Sequence, residues 1–119
     1  MNVTVKSEID IPRAMRKIEN ATFWKFAATE WHRLITPYTP WRDGNLARNV
    51  DIQPKEIYYQ MTDYATRMYY WRGHFRTDHN ELASREWDKA AEAAGKDKDL
   101  IAAMQGYIDS GRLGLNSGK

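Results

Sequence analysis

Residues 13–35 read RAMRKIENATFWKFAATEWHRLI and set the architecture of the chain. Apolar side chains recur along it every three or four residues, at Ala14, Ile18, Ala21, Trp24, Ala28, Trp31 and Ile35. This spacing predicts one long helix with an apolar face. That face is widened beyond a usual stripe by Phe23, Phe26, Ala27 and Leu34. We therefore expect the helix to be covered on more than one side, with a second subunit as one candidate for the second cover.

The residues around this helix predict a small sheet and several shorter helices. Thr36 and Pro37 end the long helix, because a residue before proline is pushed out of the α-helical region. Composition and alternation predict strands over residues 3–9, 46–53 and 55–60. Apolar spacing and capping residues predict helices over residues 64–70, 85–94 and 98–110, the last two capped by Ser84 and Asp97.

These elements predict one α+β domain over residues 1–112. In it, a long N-terminal helix packs on a small, mainly antiparallel sheet, and short C-terminal helices cover the rest. Residues 113–119 carry Gly and Ser and predict a flexible C-terminal tail. A chain of 119 residues can build one hydrophobic core but is too short for two domains.

The composition argues against several classes of function. A formal net charge of +2, from 18 basic and 16 acidic residues, gives no strong electrostatic case for nucleic acid or an anionic membrane. The chain has no cysteine, which excludes disulfides, thiolate metal sites and a cysteine nucleophile. No apolar stretch approaches the ~20 residues that span a bilayer, and the N-terminus lacks a signal-peptide apolar region. We expect the protein to be made and kept in the cytoplasm.

The histidines and carboxylates form no recognisable catalytic or metal site. His32 stands alone in the long helix, which favours a packed histidine over a ligand or a base. His74 and His79, with Asp78 and Glu81 beside them, match no zinc or calcium spacing, so a solvated loop is favoured. The sequence carries no glycine-rich phosphate loop and no nucleophile elbow. We therefore predict no enzyme activity, no metal and no cofactor.

The aromatic content is heavy for this size, with five Trp and seven Tyr. Trp and Tyr are enriched at protein interfaces because they combine a large apolar surface with a polar group. An aromatic run at Tyr69, Tyr70, Trp71 and Phe75 is interleaved with Arg67, Arg72, Arg76 and Arg85. Such a mixture can bind single-stranded nucleic acid, and it also marks hot spots of protein interfaces. We favour protein contact, with a small nucleic-acid-binding module using residues 67–85 as the alternative.

Four short segments, in this order, resemble the minor capsid (neck) proteins of long-tailed bacteriophages and their prophages. They are Pro40 to Leu46, Tyr64-Ala65, Tyr69-Tyr70 and Leu82 to Trp87. The chain departs from the family pattern at Trp41-Arg42, where a small or polar pair is common. It departs again at Trp71-Arg72, where a glycine is common.

The resemblance implies a structural protein of the virion at the head–tail junction, assembled in the cytoplasm of the host bacterium. Such proteins form ring-shaped connectors between the portal-side adaptor or head-closure proteins and the tail-completion or tail-terminator proteins. They perform no chemistry and do not enter membranes. Contact with the packaged DNA would be weak. A second alternative is an antitoxin-like or regulatory protein of a prophage, which would bind one partner without forming a ring.

Taken with the aromatic content, the resemblance suggests which residues contact a neighbouring subunit. These are Trp24, Trp31, Tyr38, Trp41, Tyr69, Tyr70 and Trp71. Leu46, Leu82 and Trp87 are predicted to lie in the core instead, where the last two would dock a C-terminal helix on the sheet.

Overall fold

The computed structural model describes residues 2–5, 11–40, 45–72 and 82–111, which form an α+β fold. The strands are β1 (Asn2–Thr4), β2 (Val50–Gln53) and β3 (Glu56–Tyr59). The helices are α1 (Arg13–Arg16), α2 (Ala21–Ile35), α3 (Asn45–Arg48), α4 (Thr62–Tyr69), α5 (Trp87–Ala93) and α6 (Lys96–Asp109), with a 3-10 turn at Thr36–Tyr38. The predictions for residues 6–9, 73–81 and 113–119 lie outside the described residues.

The long helix is shorter than predicted, because the helical conformation is interrupted before Ala21. Asn20 is in an extended conformation, and its side-chain oxygen accepts a hydrogen bond from the Phe23 amide at 3.0 Å. An asparagine in this position caps a helix and so starts α2 afresh. The Trp24 indole donates to the Ile18 carbonyl oxygen at 2.7 Å and ties the broken segment back to α2. Residues 13–16 are helical as predicted, but they form the separate helix α1, so the prediction of a single helix over residues 13–35 is wrong at residues 17–20.

The sheet is antiparallel, with strand order β1-β3-β2. Ile57 of β3 lies opposite Val3 on one side and Ile52 on the other, and this row packs on the core. The strand predicted to start at residue 46 starts instead at Val50. Leu46 and Ala47 are adjacent and both buried, which a helical turn permits and an alternating strand does not.

Helix α2 is covered on two sides, and both covers belong to the same chain. It contacts β2 and β3 on one side and α6 on the other. Tyr107 of α6 meets Phe23 edge-on at 5.7 Å between ring centroids, and Phe26 at 4.6 Å. The expectation of a two-sided apolar helix is confirmed, but α6 takes the place that we considered for a second subunit.

The last two helices begin at residues other than the predicted ones. Helix α5 starts at Trp87, since Ser84 donates its hydroxyl hydrogen bond to the Leu82 carbonyl instead of capping the helix. Helix α6 starts directly after Gly95, whose φ of 86° lies in the left-handed region that suits glycine. Asp97 therefore falls inside the first turn of α6 and does not cap it.

Candidate interaction surface

Three aromatic residues that we expected at a subunit contact lie in the core instead. Trp24 and Trp31 on α2 are each 1% exposed, and Tyr38 in the 3-10 turn is also buried. The face of α2 that carries both tryptophans is covered by the chain's own sheet and C-terminal helices. These side chains leave almost no surface for a neighbour, and we assign them to the core.

Of the three residues predicted to lie in the core, two are buried and one is exposed. Leu46 and Trp87 are buried, which confirms both predictions. Leu82 is 47% exposed, so its prediction is wrong. The reason is that α5 begins at Trp87, so Leu82 belongs to the segment before the helix and is not carried onto its inner face. Trp41 and Arg76 lie outside the described residues.

Tyr69 at the end of α4 is held inside by a polar and aromatic cluster. Its hydroxyl donates a 2.5 Å hydrogen bond to the buried Asp88 carboxylate. Its ring meets Trp87 edge-on at 5.1 Å. Trp87 in turn donates its indole N–H to the Tyr59 hydroxyl oxygen at 3.0 Å. This cluster joins α4, α5 and β3, and it makes Tyr69 a structural residue.

The next two residues have the opposite environment. Tyr70 is 64% exposed and Trp71 is 40% exposed, directly after the last turn of α4. Large aromatic side chains at the surface are typical of contact sites when they lie together. Of the seven predicted contact residues, Tyr70 and Trp71 are the two that the structure brings to the surface within the described part of the chain.

The segment before α5 returns to the end of α4 and forms one wall of a cleft. The Glu86 amide donates to the Tyr69 carbonyl oxygen at 2.9 Å, and the Ser84 amide donates to the Tyr38 carbonyl oxygen at 2.9 Å. Glu86 has a φ of 47°, a conformation that costs a residue with a side chain about 1 kcal/mol or more. The two backbone hydrogen bonds hold this segment in place despite that cost.

We call the resulting feature the arginine cleft and define it by its lining residues Tyr69, Tyr70, Arg72, Arg85 and Glu86. Its volume of about 270 Å³ falls below the ~300–1,000 Å³ of typical small-molecule sites. Both arginines are exposed, and neither forms an ion pair with another described residue. Glu86 is paired with Lys89 at 3.4 Å. The cleft is therefore a shallow, positively charged surface that suits a side chain of a partner better than a metabolite.

One more arginine of the predicted cluster, Arg67, is described by the structure and does not line the cleft. Arg67 lies over the Tyr64 ring, with its guanidinium carbon 5.5 Å from the ring centroid, in a cation–π contact on α4. Arg76 falls outside the described residues. The structure thus brings together Arg72 and Arg85, from opposite ends of an intervening segment, and leaves Arg67 on the helix.

His32 has a structural partner. Its Nε2 atom lies 2.7 Å from the Ala47 carbonyl oxygen, which can only accept, so the imidazole donates and joins α2 to α3. Within residues 2–5, 11–40, 45–72 and 82–111, no group of His, Cys, Asp or Glu could hold a metal ion. Among the same residues, no helix is both long and apolar enough to cross a bilayer.

A second polar feature, which the sequence analysis missed, lies on the outward face of the sheet. Asp51 of β2 lies opposite Tyr58 of β3, and Glu56 lies one pleat away on the same face. Tyr58 is exposed, whereas Ile57 and Tyr59, which alternate with these residues, are buried. We call Asp51, Glu56 and Tyr58 the acidic face. The alternation of residues 56–59 was the available signal, since it turns Glu56 and Tyr58 to the same side.

Comparison with known protein families settles the class of the chain. A family model described as "Minor capsid protein" matches residues 5–106. The chain belongs to the minor capsid protein family. This makes it a structural protein of bacteriophage particles. No curated protein and no solved structure matched the chain. The arginine cleft of this minor capsid protein lies within the matched range, as does its acidic face.

Proposed function

We propose that this minor capsid protein is a ring-forming subunit of the head–tail junction. In this role it joins the head-closure or adaptor proteins on the portal side to the tail-completion or tail-terminator proteins. The work is mechanical: the subunit seals the filled head and presents a docking surface for the tail. It requires contact surfaces and no catalysis, cofactor or metal.

The observation that carries the proposal is the exposed pair Tyr70 and Trp71 beside the arginine cleft. The chain fills its own core with Trp24, Trp31 and Trp87, so this pair is aromatic surface beyond what folding needs. Trp, Tyr and Arg are the residues most enriched at binding hot spots. Such a surface on a small capsid protein is best explained by contact with neighbouring subunits.

The proposal is tested by the mass of the protein in solution. We expect light scattering across a concentration series to show a discrete closed oligomer, either alone or on addition of the portal-side adaptor and tail-completion proteins. The double variant Tyr70→Ala with Trp71→Ala should weaken this association, because hot-spot truncations cost about 2 kcal/mol or more. Lys25→Ala with Lys98→Ala, two exposed positions on other helices, serves as the matched control. A protein that stays monomeric both alone and with the adaptor and tail-completion proteins would contradict the proposal.

A second candidate function is binding of single-stranded nucleic acid at the same cleft. It is favoured by one observation, the position of Arg72 and Arg85 beside the exposed Tyr70 ring. Stacking on aromatic rings with phosphate contacts from arginine is the usual mode of such binding. Its signature is an affinity for oligothymidylate that falls steeply as salt rises. No measurable binding at physiological salt would exclude this candidate.

A further inference from the structure

The outward face of the sheet presents negative charge around an aromatic ring. Asp51 lies directly across from Tyr58, and Glu56 follows on the same face of β3. The pKa of Tyr58 is raised from its ordinary value of 10.0, first by a hydrogen bond to Glu56, then by burial and by the charges of Glu56 and Asp51. The field at the Tyr58 hydroxyl is therefore negative.

The lysine in the turn between β2 and β3 points away from this face. Lys55 sits between β2 and β3 with a φ of 72°, and its ammonium nitrogen lies 5.3 Å from the centroid of the Trp24 ring. Trp24 belongs to the core on the opposite side of the sheet. The turn thus directs the Lys55 charge toward the core and away from the acidic face.

The arginine cleft is the electrostatic complement of this face. Arg72 and Arg85 have no carboxylate partner in the described part of the chain, and Glu86 is engaged by Lys89. The adjoining Tyr70 and Trp71 rings are exposed. Arginine forms short, bidentate hydrogen bonds with carboxylates, and aromatic rings pair edge-on or offset. The cleft therefore fits a partner that offers two carboxylates and one aromatic ring.

We propose that the occupant of the arginine cleft is the acidic face of a second copy of this chain. Arg72 and Arg85 of one copy would then meet Asp51 and Glu56 of the next, with Tyr58 against the exposed aromatic pair. Two different surfaces that complement each other form a head-to-tail interface, and repetition of such an interface closes a ring when the rotation permits. The inference rests on the proposed ring function and names the two surfaces that build it.

A charge-exchange experiment tests this pairing. One variant carries Arg72→Glu with Arg85→Glu, and the other carries Asp51→Lys with Glu56→Lys. Each variant alone would bring like charges together, and we expect its association constant to fall roughly 100-fold or more. An equimolar mixture of the two restores opposite charges at every contact, so we expect assembly to return with the copies alternating.

Two controls keep the experiment decisive. A matched variant, Lys25→Glu with Lys98→Glu, changes the net charge as the first variant does but at exposed positions elsewhere, and it should assemble normally. Thermal unfolding of each variant checks that the fold is retained. If the second variant fails to fold, Asp51→Lys alone replaces it, since Asp51 is exposed and its carboxylate accepts a hydrogen bond from the side chain of Gln53, itself an exposed residue.

The outcomes separate this inference from the proposed function. Assembly that is lost in each variant and restored in the mixture supports the pairing. A wild-type ring with variants that assemble normally overturns the pairing and leaves the ring function standing, as does a loss that the mixture fails to restore. Wild-type protein that stays monomeric with every neighbour overturns both. Loss of oligothymidylate binding with unchanged assembly assigns the cleft to nucleic acid and overturns the pairing.

Discussion

At the scale of the residue, two adjacent tyrosines show why aromatic content alone does not identify an interface. Tyr69 is buried with its hydroxyl on Asp88, and Tyr70 is exposed at the mouth of the arginine cleft. Both belong to the same predicted aromatic run, and the sequence does not distinguish them. The difference arises from where α4 ends, which fixes the direction in which each side chain leaves the backbone.

We predict that removing the two hydroxyl groups has unequal effects on the free energy of unfolding. Tyr69→Phe leaves the buried Asp88 carboxylate without its donor and should cost about 2 kcal/mol. Tyr70→Phe changes an exposed side chain and should stay within about 0.5 kcal/mol. Denaturant unfolding of both variants measures the difference. Equal effects would show that the hydrogen bond to Asp88 does not stabilise the fold.

Tyr59 makes the stability depend on pH in the alkaline range. Burial raises its pKa from 10.0 to about 12, although the hydrogen bonds with Trp87 and Thr39 lower it in part. Because the folded pKa is the higher one, the folded state keeps a proton that the unfolded chain releases. The contribution is complete below pH 10 and is lost as the pH rises toward 12, by roughly 3 kcal/mol in total.

The matched variant for this effect is Tyr59→Phe. Its free energy of unfolding should be lower than that of the wild type at pH 8, because Trp87 loses its acceptor. The gap between the two proteins should then narrow as the pH rises from 10 to 11.5. Parallel curves over this range would contradict the assignment of a raised pKa to Tyr59.

The tryptophans of α2 show what the spacing of apolar residues can predict about a single side chain and what it cannot. The spacing placed Trp24 and Trp31 on the apolar face of the helix, and both are buried there. Assigning them also to a subunit contact went further than the spacing allowed, since periodicity does not tell which element covers a face. Trp31 is buried with no hydrogen-bond partner for its indole nitrogen among the described residues, so its role there is the volume that it fills.

At the scale of the element, the sequence predicted most helices and strands but misplaced their ends. Apolar spacing continues through residues 17–20, so it could not reveal the break at which Asn20 turns its side chain onto the Phe23 amide. Likewise, residues 46–49 look like the start of a strand until the burial of both Leu46 and Ala47 is known. In both cases a local hydrogen bond or tertiary contact outweighs the pattern.

Two glycines near α6 should respond to alanine in opposite directions. Gly95 has a φ of 86°, so Gly95→Ala should destabilise the fold by about 1 kcal/mol although a Cβ would meet open space. Gly106 lies inside α6 and also has open space, so Gly106→Ala should stabilise it by about 0.5–1 kcal/mol. Thermal unfolding of the pair checks the signs. Stabilisation by both substitutions would contradict the left-handed conformation at Gly95.

At the scale of the whole molecule, the α+β fold and the structural role in a bacteriophage particle followed from the sequence. The fold class depends on long-range features such as one wide apolar helix and a strand pair, which survive errors of a few residues at element ends. The exposed surfaces could not be predicted from the sequence, because the exposure of a side chain depends on packing between segments that are distant in the chain. The arginine cleft joins residues 69–72 to 85–86, and no local pattern links them.

The role at the head–tail junction is tested by the position of the protein on the assembled phage particle. Gold labelling through a tag at the C-terminus, viewed by electron microscopy, shows this position. We expect label at one site per particle, between the head and the tail. Label spread over the head surface, or particles that carry none, would contradict the role at the head–tail junction.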